Sequence, residues 1–451
     1  MWPLKSILYF GVFWIACVMA LANPIWGVLN YMVVYQTDPT NTWWGRPLAE
    51  LGMRFSLLAA GSTVLGLLLG RKHVPDVRPA FSAWEWGVLA LFVIASLNIV
   101  IGAEFGASAR REFEKFWKVL LFTLILTRLA SVRKNLLMVM WALVIGCLYL
   151  GYDAYTAPSW AFLLGRLETF GGPDFSTSSG AAAHLSAMLP IIGTAFLAAK
   201  HWKWKLLAGV SGALTVNAVI MCRTRSAFIG LVVGLLAAFL VAPRVRRYRI
   251  HALLFAGGVV AFGLTDDHFW ARMGTLADQE VLETDLATVS RKEIWLASLQ
   301  IIADHPLGIG VGNFTRVIGD YDPRHNQRSS HNSLIVCFAE LGVQGGIVFL
   351  SMVALSVRLL HRSSKLAGLS DKPLETKMLA YGFLIALVTY FTTALGTQRF
   401  YCESFWWVLA LPLCLYRAVL AEADARVGIP APVASPAGNE EMRVVGQLQS
   451  P

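Results

Sequence analysis

Apolar residues in this chain come in runs of close to twenty, separated by short polar segments. About twenty apolar residues in a helix cross the ~30 Å hydrocarbon core of a bilayer, so each run predicts a membrane-spanning helix. The runs lie at 6–22, 51–70, 84–103, 115–130, 135–152, 180–199, 206–222, 225–242, 251–265, 331–358, 375–396 and 404–420. The strict alternation of a membrane β-barrel is absent. The pattern predicts an all-α polytopic membrane protein of about twelve transmembrane helices. A further apolar stretch, 24–36 (NPIWGVLNYMVVY), is short and opens on Asn-Pro. It reads as an interfacial or re-entrant segment.

One long polar interruption stands out, at 266–330. Within it, a helical pattern at 291–303 starts at Arg291 and breaks at His305-Pro306 and at Gly308, Gly310 and Gly312. The next apolar helix then starts at His331-Asn332. Residues 1–420 form one transmembrane domain that includes this loop. The Pro-, Ala-, Gly- and Glu-rich stretch 421–451 reads as a disordered cytoplasmic tail, since its composition cannot bury a core.

Charge sets the orientation. Basic residues collect around Arg71, Lys72 and Arg78; around Arg128, Arg133 and Lys134; and around Lys200, Lys203 and Lys205. Two further clusters run from Arg244 to Arg249 and from Arg358 to Lys377. With twelve spans all five clusters share a side with both termini, and the positive-inside rule makes that side the cytoplasm. The loop 266–330 is then the large extracytoplasmic segment. The chain has 451 residues, 56% of them hydrophobic, and a net charge of +10. Topology accounts for that charge, so nucleic acid is not an expected partner and membrane lipids are. The six cysteines fall in or beside apolar runs and form no CxxC pair, which gives neither a disulfide framework nor a metal site. The first run lacks a small-residue cleavage site and reads as a retained helix.

The residues that could carry chemistry collect on the outer face. Arg223 and Arg225, in CRTRSAFIGL, sit between two spans. An ionisable residue at that depth is a functional candidate, although snorkelling to the interface is the ordinary alternative. The guanidinium fork suits phosphate oxygens. Arg291 reads either as a further cation for such a ligand or as an exposed residue paired with Glu293 or Asp304. The string DHPLGIGVGNF reads as a flexible turn; its backbone could also approach an anion. His331, at a helix start, faces a dipole that disfavours imidazolium and keeps the ring neutral, as a general base requires. His184, Asn332 and Arg399 are candidates for the acceptor side or for support; Arg166 and Asp174 also lie on this face. No acidic cluster of the kind that holds Mg²⁺ appears in the outer loops, so neither metal nor cofactor is expected.

His331-Asn332, nine residues, Gly342, two residues, Gly345 resembles the H-N-x9-G-x-x-G pattern of bacterial O-antigen ligases. SRKEIWLASLQIIADHPLGIGVGNF resembles the large periplasmic loop of these proteins and of O-antigen polymerases, and CRTRSAFIGL resembles their arginine-containing span junction. FWARMGTLADQE and DLATVSRKEIW resemble the branch of O-glycosylation ligases associated with exosortases. The resemblance covers about 210–350 by motif and the whole chain by topology. It implies a metal-independent, membrane-embedded glycosyltransferase of the bacterial inner membrane, with its active site facing the periplasm. The donor would be an undecaprenyl-diphosphate-linked glycan and the acceptor a hydroxyl, for the ligases that of a lipid A core sugar. The resemblance implies that Arg291 with Arg223 or Arg225 holds the diphosphate and that His331 activates the acceptor. GPDFSTSSGAAAH departs from the Asn-rich version common in the family. Two alternatives within the superfamily are a polymerase of lipid-linked repeats and a protein O-glycosylation ligase. A transporter of lipid-linked sugar, or an assembly protein without catalysis, would belong to another class; the first predicts internal repeats, which are absent here.

Overall fold

The computed structural model describes residues 3–70, 73–77, 80–103, 105–172, 174–276 and 286–427. The tail from 428 and the basic residues Arg71, Lys72 and Arg78 lie outside the described residues. The chain opens with α1 (Leu4–Ala22), α2 (Ile25–Thr37), α3 (Arg46–Glu50), α4 (Phe55–Leu69), α5 (Ala83–Ile101), α6 (Ala107–Leu129) and α7 (Arg133–Tyr155). A two-stranded hairpin (Phe162–Leu163, Arg166–Leu167) precedes α8 (Ser178–Ala198), α9 (Trp202–Cys222), α10 (Arg225–Leu240) and α11 (Arg247–Leu264). Three short elements follow, α12 (Asp267–Gly274), α13 (Leu286–Asp304) and α14 (Phe314–Tyr321). The chain closes with α15 (Ser333–Lys365), α16 (Pro373–Ala394) and α17 (Glu403–Val427).

Every apolar run expected to cross is helical, but the count of twelve crossings is not supported. Eight described helices are long and apolar enough to span: α1, α5, α7, α8, α9, α15, α16 and α17. The pair α10 and α11, bent by 98°, brings the number to nine at most. Length removes α4, whose 15 residues rise only about 22 Å. Charge removes α6, which carries Arg110, Arg111, Glu112, Glu114 and Lys115 in its first turns. The stretch at 24–36 is α2, a 13-residue helix most of whose residues are buried. It packs against α1, α4 and α7, so it is an internal element rather than a helix lying along an interface.

The bundle has two chemically distinct ends. At one end Arg133 bonds Glu422 (2.5 and 2.8 Å) and Glu375 (3.1 Å), and Arg417 grips Glu85 bidentately at 2.7 and 2.6 Å. Thr127 adds a bond to Glu85 at 2.8 Å. The Arg417 and Glu85 side chains are 1% and 4% exposed. Such a pair offsets its desolvation only with good geometry and extra hydrogen bonds. These contacts hold α17 in register through Glu422, past the domain boundary expected at 420, and the helix continues to Val427. At the other end meet the starts of α6, α8, α15 and α17 and the junction of α9 with α10. After the bend, α11 leads the chain back to this end, where Asp266 pairs with Arg223.

The described residues of the interruption at 266–330 are folded. The helix expected at 291–303 begins at Leu286, so Arg291 sits in its second turn. The glycine segment is neither a flexible turn nor a free anion site. Gly342, at φ 73°, breaks α15, and the freed backbone groups are met by the segment itself. Ile309 N–H donates to the Ala339 carbonyl (2.9 Å), Gly310 N–H to that of Glu340 (3.0 Å), and Val343 N–H to that of Pro306 (2.9 Å). A Cβ on Gly308 would lie 2.6 Å from the Glu340 carbonyl oxygen and from the Gly342 nitrogen. What this segment does cradle is the chain's own Glu340 carboxyl, which accepts from Gly312 N–H (2.8 Å), Phe314 N–H (3.0 Å) and the Tyr401 hydroxyl.

Candidate active site

Asn332 fixes where α15 starts. Its side-chain oxygen accepts from the N–H groups of Leu334 (2.9 Å) and Ile335 (3.1 Å), the ordinary work of an asparagine N-cap. His331 is therefore one residue outside the helix rather than its first residue, and it takes a left-handed backbone (φ 52°). That turn is held locally by Ser329 Oγ, which accepts His331 N–H at 3.3 Å. Ser329 in turn donates to Gln398 (2.6 Å). Ser333 Oγ donates to the Thr397 carbonyl (3.0 Å) and accepts Arg399 N–H (2.7 Å), so the strand of chain around Arg399 is sewn to the one carrying His331.

Between them opens a cavity of about 290 Å³. His331 and Arg399 line it, with Lys115, Asp174, Thr397 and Tyr401. Asp174 organises this wall: its carboxylate accepts from Lys115 (2.5 Å) and Tyr35 (2.7 Å), and its carbonyl from Arg399 Nη1 (2.7 Å). Burial would raise the Asp174 pKa, but Lys115 and Arg399 outweigh it and hold the carboxyl below its usual value. His331 is shifted downward too, first by loss of hydration at the cavity mouth and then by the nearby positive charges of Arg291 and Arg328. The result is a neutral imidazole at neutral pH.

The arginines separate into two groups. Arg223 is tied to the Asp266 carboxylate and the Gly165 carbonyl, and its backbone carbonyl accepts from Arg272 Nε at 2.8 Å. Arg223 and Asp266 form an ion pair across the start of α12. The Arg223 charge is used to close the loop of chain from α10 to α12. Arg225 instead reaches α13, where Nη1 donates to Thr288 Oγ1 (3.1 Å). Thr288, Arg291 and Trp295 lie three and four residues apart, hence on one helix face. At the far end of that face Trp295 donates to the Ser330 carbonyl (2.8 Å), next to His331. Arg291 thus stands near His331, Arg225 reaches the start of the same α13 face, and neither lines the cavity. The partners foreseen for Arg291 are engaged elsewhere: Glu293 with Arg324 and His325, Asp304 with Tyr321.

His184 is fully buried behind the cavity, its ring 4.8 Å from that of Phe175, and neither ring nitrogen has a hydrogen-bond partner. It does not line the cavity, whereas Arg399 does. Among the described residues Glu293, Asp322 and His325 are close enough together to hold a metal ion. Arg324 already bonds both carboxylates, at 3.2 Å to Glu293 and 2.8 Å to Asp322, and supplies the positive charge there. Lys115, Glu340, Arg328 and Thr397 escaped the sequence reading. Lys115 and Glu340 had left a signal, since each is an ionisable residue within or at the edge of an apolar run.

Comparison with protein families matches residues 210–350 to the O-antigen ligase family. A search of curated proteins finds no match. The matched segment contains Arg225, Arg291 and His331 and stops short of Arg399, while Lys115 and Asp174 precede it. Residues 210–350 thus match the O-antigen ligase family, and the chain that carries them is a multi-pass membrane protein.

Proposed function

We propose that this protein transfers a glycan from undecaprenyl diphosphate to an acceptor hydroxyl on the periplasmic face of the bacterial inner membrane, the acceptor being a sugar of the lipid A core. His331 takes the acceptor proton as the hydroxyl oxygen attacks the anomeric carbon. The bond from that carbon to the phosphate oxygen breaks, and its electron pair leaves on undecaprenyl diphosphate. One displacement inverts the anomeric centre. Arg225 and Arg291 hold the diphosphate and stabilise the charge that grows on it, a task fixed cations perform best where water is scarce. Arg223 has a structural task instead.

The observation that supports this most is the position of His331. It lines the cavity and stands near Arg291, on the α13 face that Arg225 also reaches, with its basicity lowered so that the ring is free to accept a proton. A cation pair serves the leaving group without a metal, so transfer proceeds in EDTA. The test offers purified protein its lipid-linked glycan together with lipid A core, a second lipid-linked repeat and an acceptor protein. Sugar gained by the lipid A core supports the ligase; sugar gained by the repeat or by the protein identifies a polymerase or an O-glycosylation ligase.

A further inference from the structure

The cavity holds more than a route to His331. Arg399 donates Nε to the Gln398 carbonyl (2.7 Å) and Nη1 to the Asp174 carbonyl, both neutral acceptors; among the described residues no carboxylate is in ion-pair contact with it, and the Asp174 carboxylate, near enough to feel its charge, is bonded to Lys115 and Tyr35 instead. Beside it Thr397 is 2% exposed, lines the cavity, and has a hydroxyl with no hydrogen-bond partner. The N-terminus of α8 closes the same wall: Thr177 caps it by accepting Gly180 N–H (3.2 Å), and both Thr177 and Ser179 line the cavity. A Cβ on Gly180 would stand 2.8 Å from Arg399 Nη1, so glycine is what lets the guanidinium reach the helix end. A guanidinium facing neutral groups, a buried hydroxyl without a partner and a helix N-terminus together make an oxyanion site. Lys115 adds a second cation whose charge is balanced by Asp174, and Glu112 lies at the Lys115 side of the cavity.

We infer that Arg399, Thr397 and the start of α8 form a second oxyanion subsite, and that it takes a phosphate or carboxylate group carried by the acceptor. This rests on the assignment of Arg225 and Arg291 to the donor. Two anionic groups held at separate sites would orient donor and acceptor independently.

The experiment measures binding of inorganic phosphate and of undecaprenyl diphosphate to the purified full chain in detergent. The variants are Arg399→Gln, Arg399→Lys, Thr397→Val and the double variant Arg225→Gln/Arg291→Gln. Phosphate binding should weaken about tenfold or more in Arg399→Gln and Thr397→Val, the scale of one lost charge-assisted bond. It should recover in part in Arg399→Lys, and undecaprenyl diphosphate should still bind all three. The double variant should do the reverse. Phosphate binding that ignores Arg399→Gln, with the melting temperature of the variant unchanged, overturns the subsite. Loss of both ligands in Arg399→Gln while Arg399→Lys retains both would make the cavity the donor's own diphosphate site and overturn its assignment to the acceptor. A double variant that keeps undecaprenyl diphosphate while Arg399→Gln loses only phosphate would leave the subsite standing and remove the donor assignment.

Discussion

The indole N–H of Trp295 donates to the carbonyl of Ser330 at 2.8 Å. This bond, with that of Arg328 Nη1 to Ser290 Oγ (3.1 Å), pins the helix that carries Arg291 to the turn that carries His331. Replacing Trp295 with Phe keeps most of the apolar contact and removes the donor. The expected result is a small loss of stability, about 1 kcal/mol, with a clear fall in single-turnover rate of roughly tenfold, because a reacting pair tolerates little misplacement. Thermal unfolding and a single-turnover assay on the same preparation check both.

The arginines should divide as their contacts do. Arg225→Gln and Arg291→Gln are expected to weaken donor binding about tenfold each, and Arg291→Lys to restore little, since an ammonium cannot reproduce the fork. Arg223→Gln should leave donor binding within about twofold and cost under about 1 kcal/mol of stability, because its partner Asp266 is half exposed. Binding of undecaprenyl diphosphate to the four single variants decides this, and a large loss in Arg223→Gln alone would invert the assignment.

The pH profile carries a sign. A base works only when deprotonated, so a pKa below the ordinary histidine value of 6.5 keeps His331 active further into acid. The acid limb of the single-turnover rate should therefore lie below pH 6.5. Arg328 is one of the cations that depress it, so Arg328→Gln should raise the pKa and move the acid limb upward. A limb that stays still or moves down would mean that His331 is not the titrating group.

One residue of the motif, Gly342, acts on the fold, and so does a buried ion pair far from it. At Gly342 a Cβ would meet the Leu307 carbonyl carbon at 2.5 Å, on a backbone with φ 73°. Gly342→Ala should cost at least about 1–2 kcal/mol from the backbone alone. At the other end of the bundle, Glu85→Gln leaves Arg417 without its carboxylate and should cost about 3–5 kcal/mol. Melting temperatures in detergent measure each, and Glu85→Gln should leave the rate of the folded fraction unchanged.

Much of this was legible in the chain and some was not, for reasons of range. Runs such as 84–103 and 180–199 announce their helices because burial in lipid needs apolar residues at every position. That α6 starts at Ala107, and so takes in the charges from Arg110 to Lys115, and that the chain bends after Leu240 show only in the structure, which is why a count of twelve spans is not supported. His331-Asn332 and Gly342 read as a motif, and the cap and the break explain why those residue types stand there. Lys115 and Asp174, or Thr397 and Arg399 beside Thr177, are brought together by packing from distant parts of the chain. Local spacing holds no trace of such meetings. Arg223 and Arg225 look alike in sequence and differ only because Asp266 returns to one of them.

The role of His331 is the centre of the account, and one measurement reaches it directly. Donor binding and single-turnover transfer are followed together for wild type and His331→Ala, at a pH where the wild-type rate is flat. The account predicts undecaprenyl diphosphate binding within about twofold of wild type and a transfer rate reduced by about 10²–10⁴, the range for loss of a positioned base. Donor binding lost, with bound donor turned over at the wild-type rate, would contradict it and make His331 a phosphate ligand.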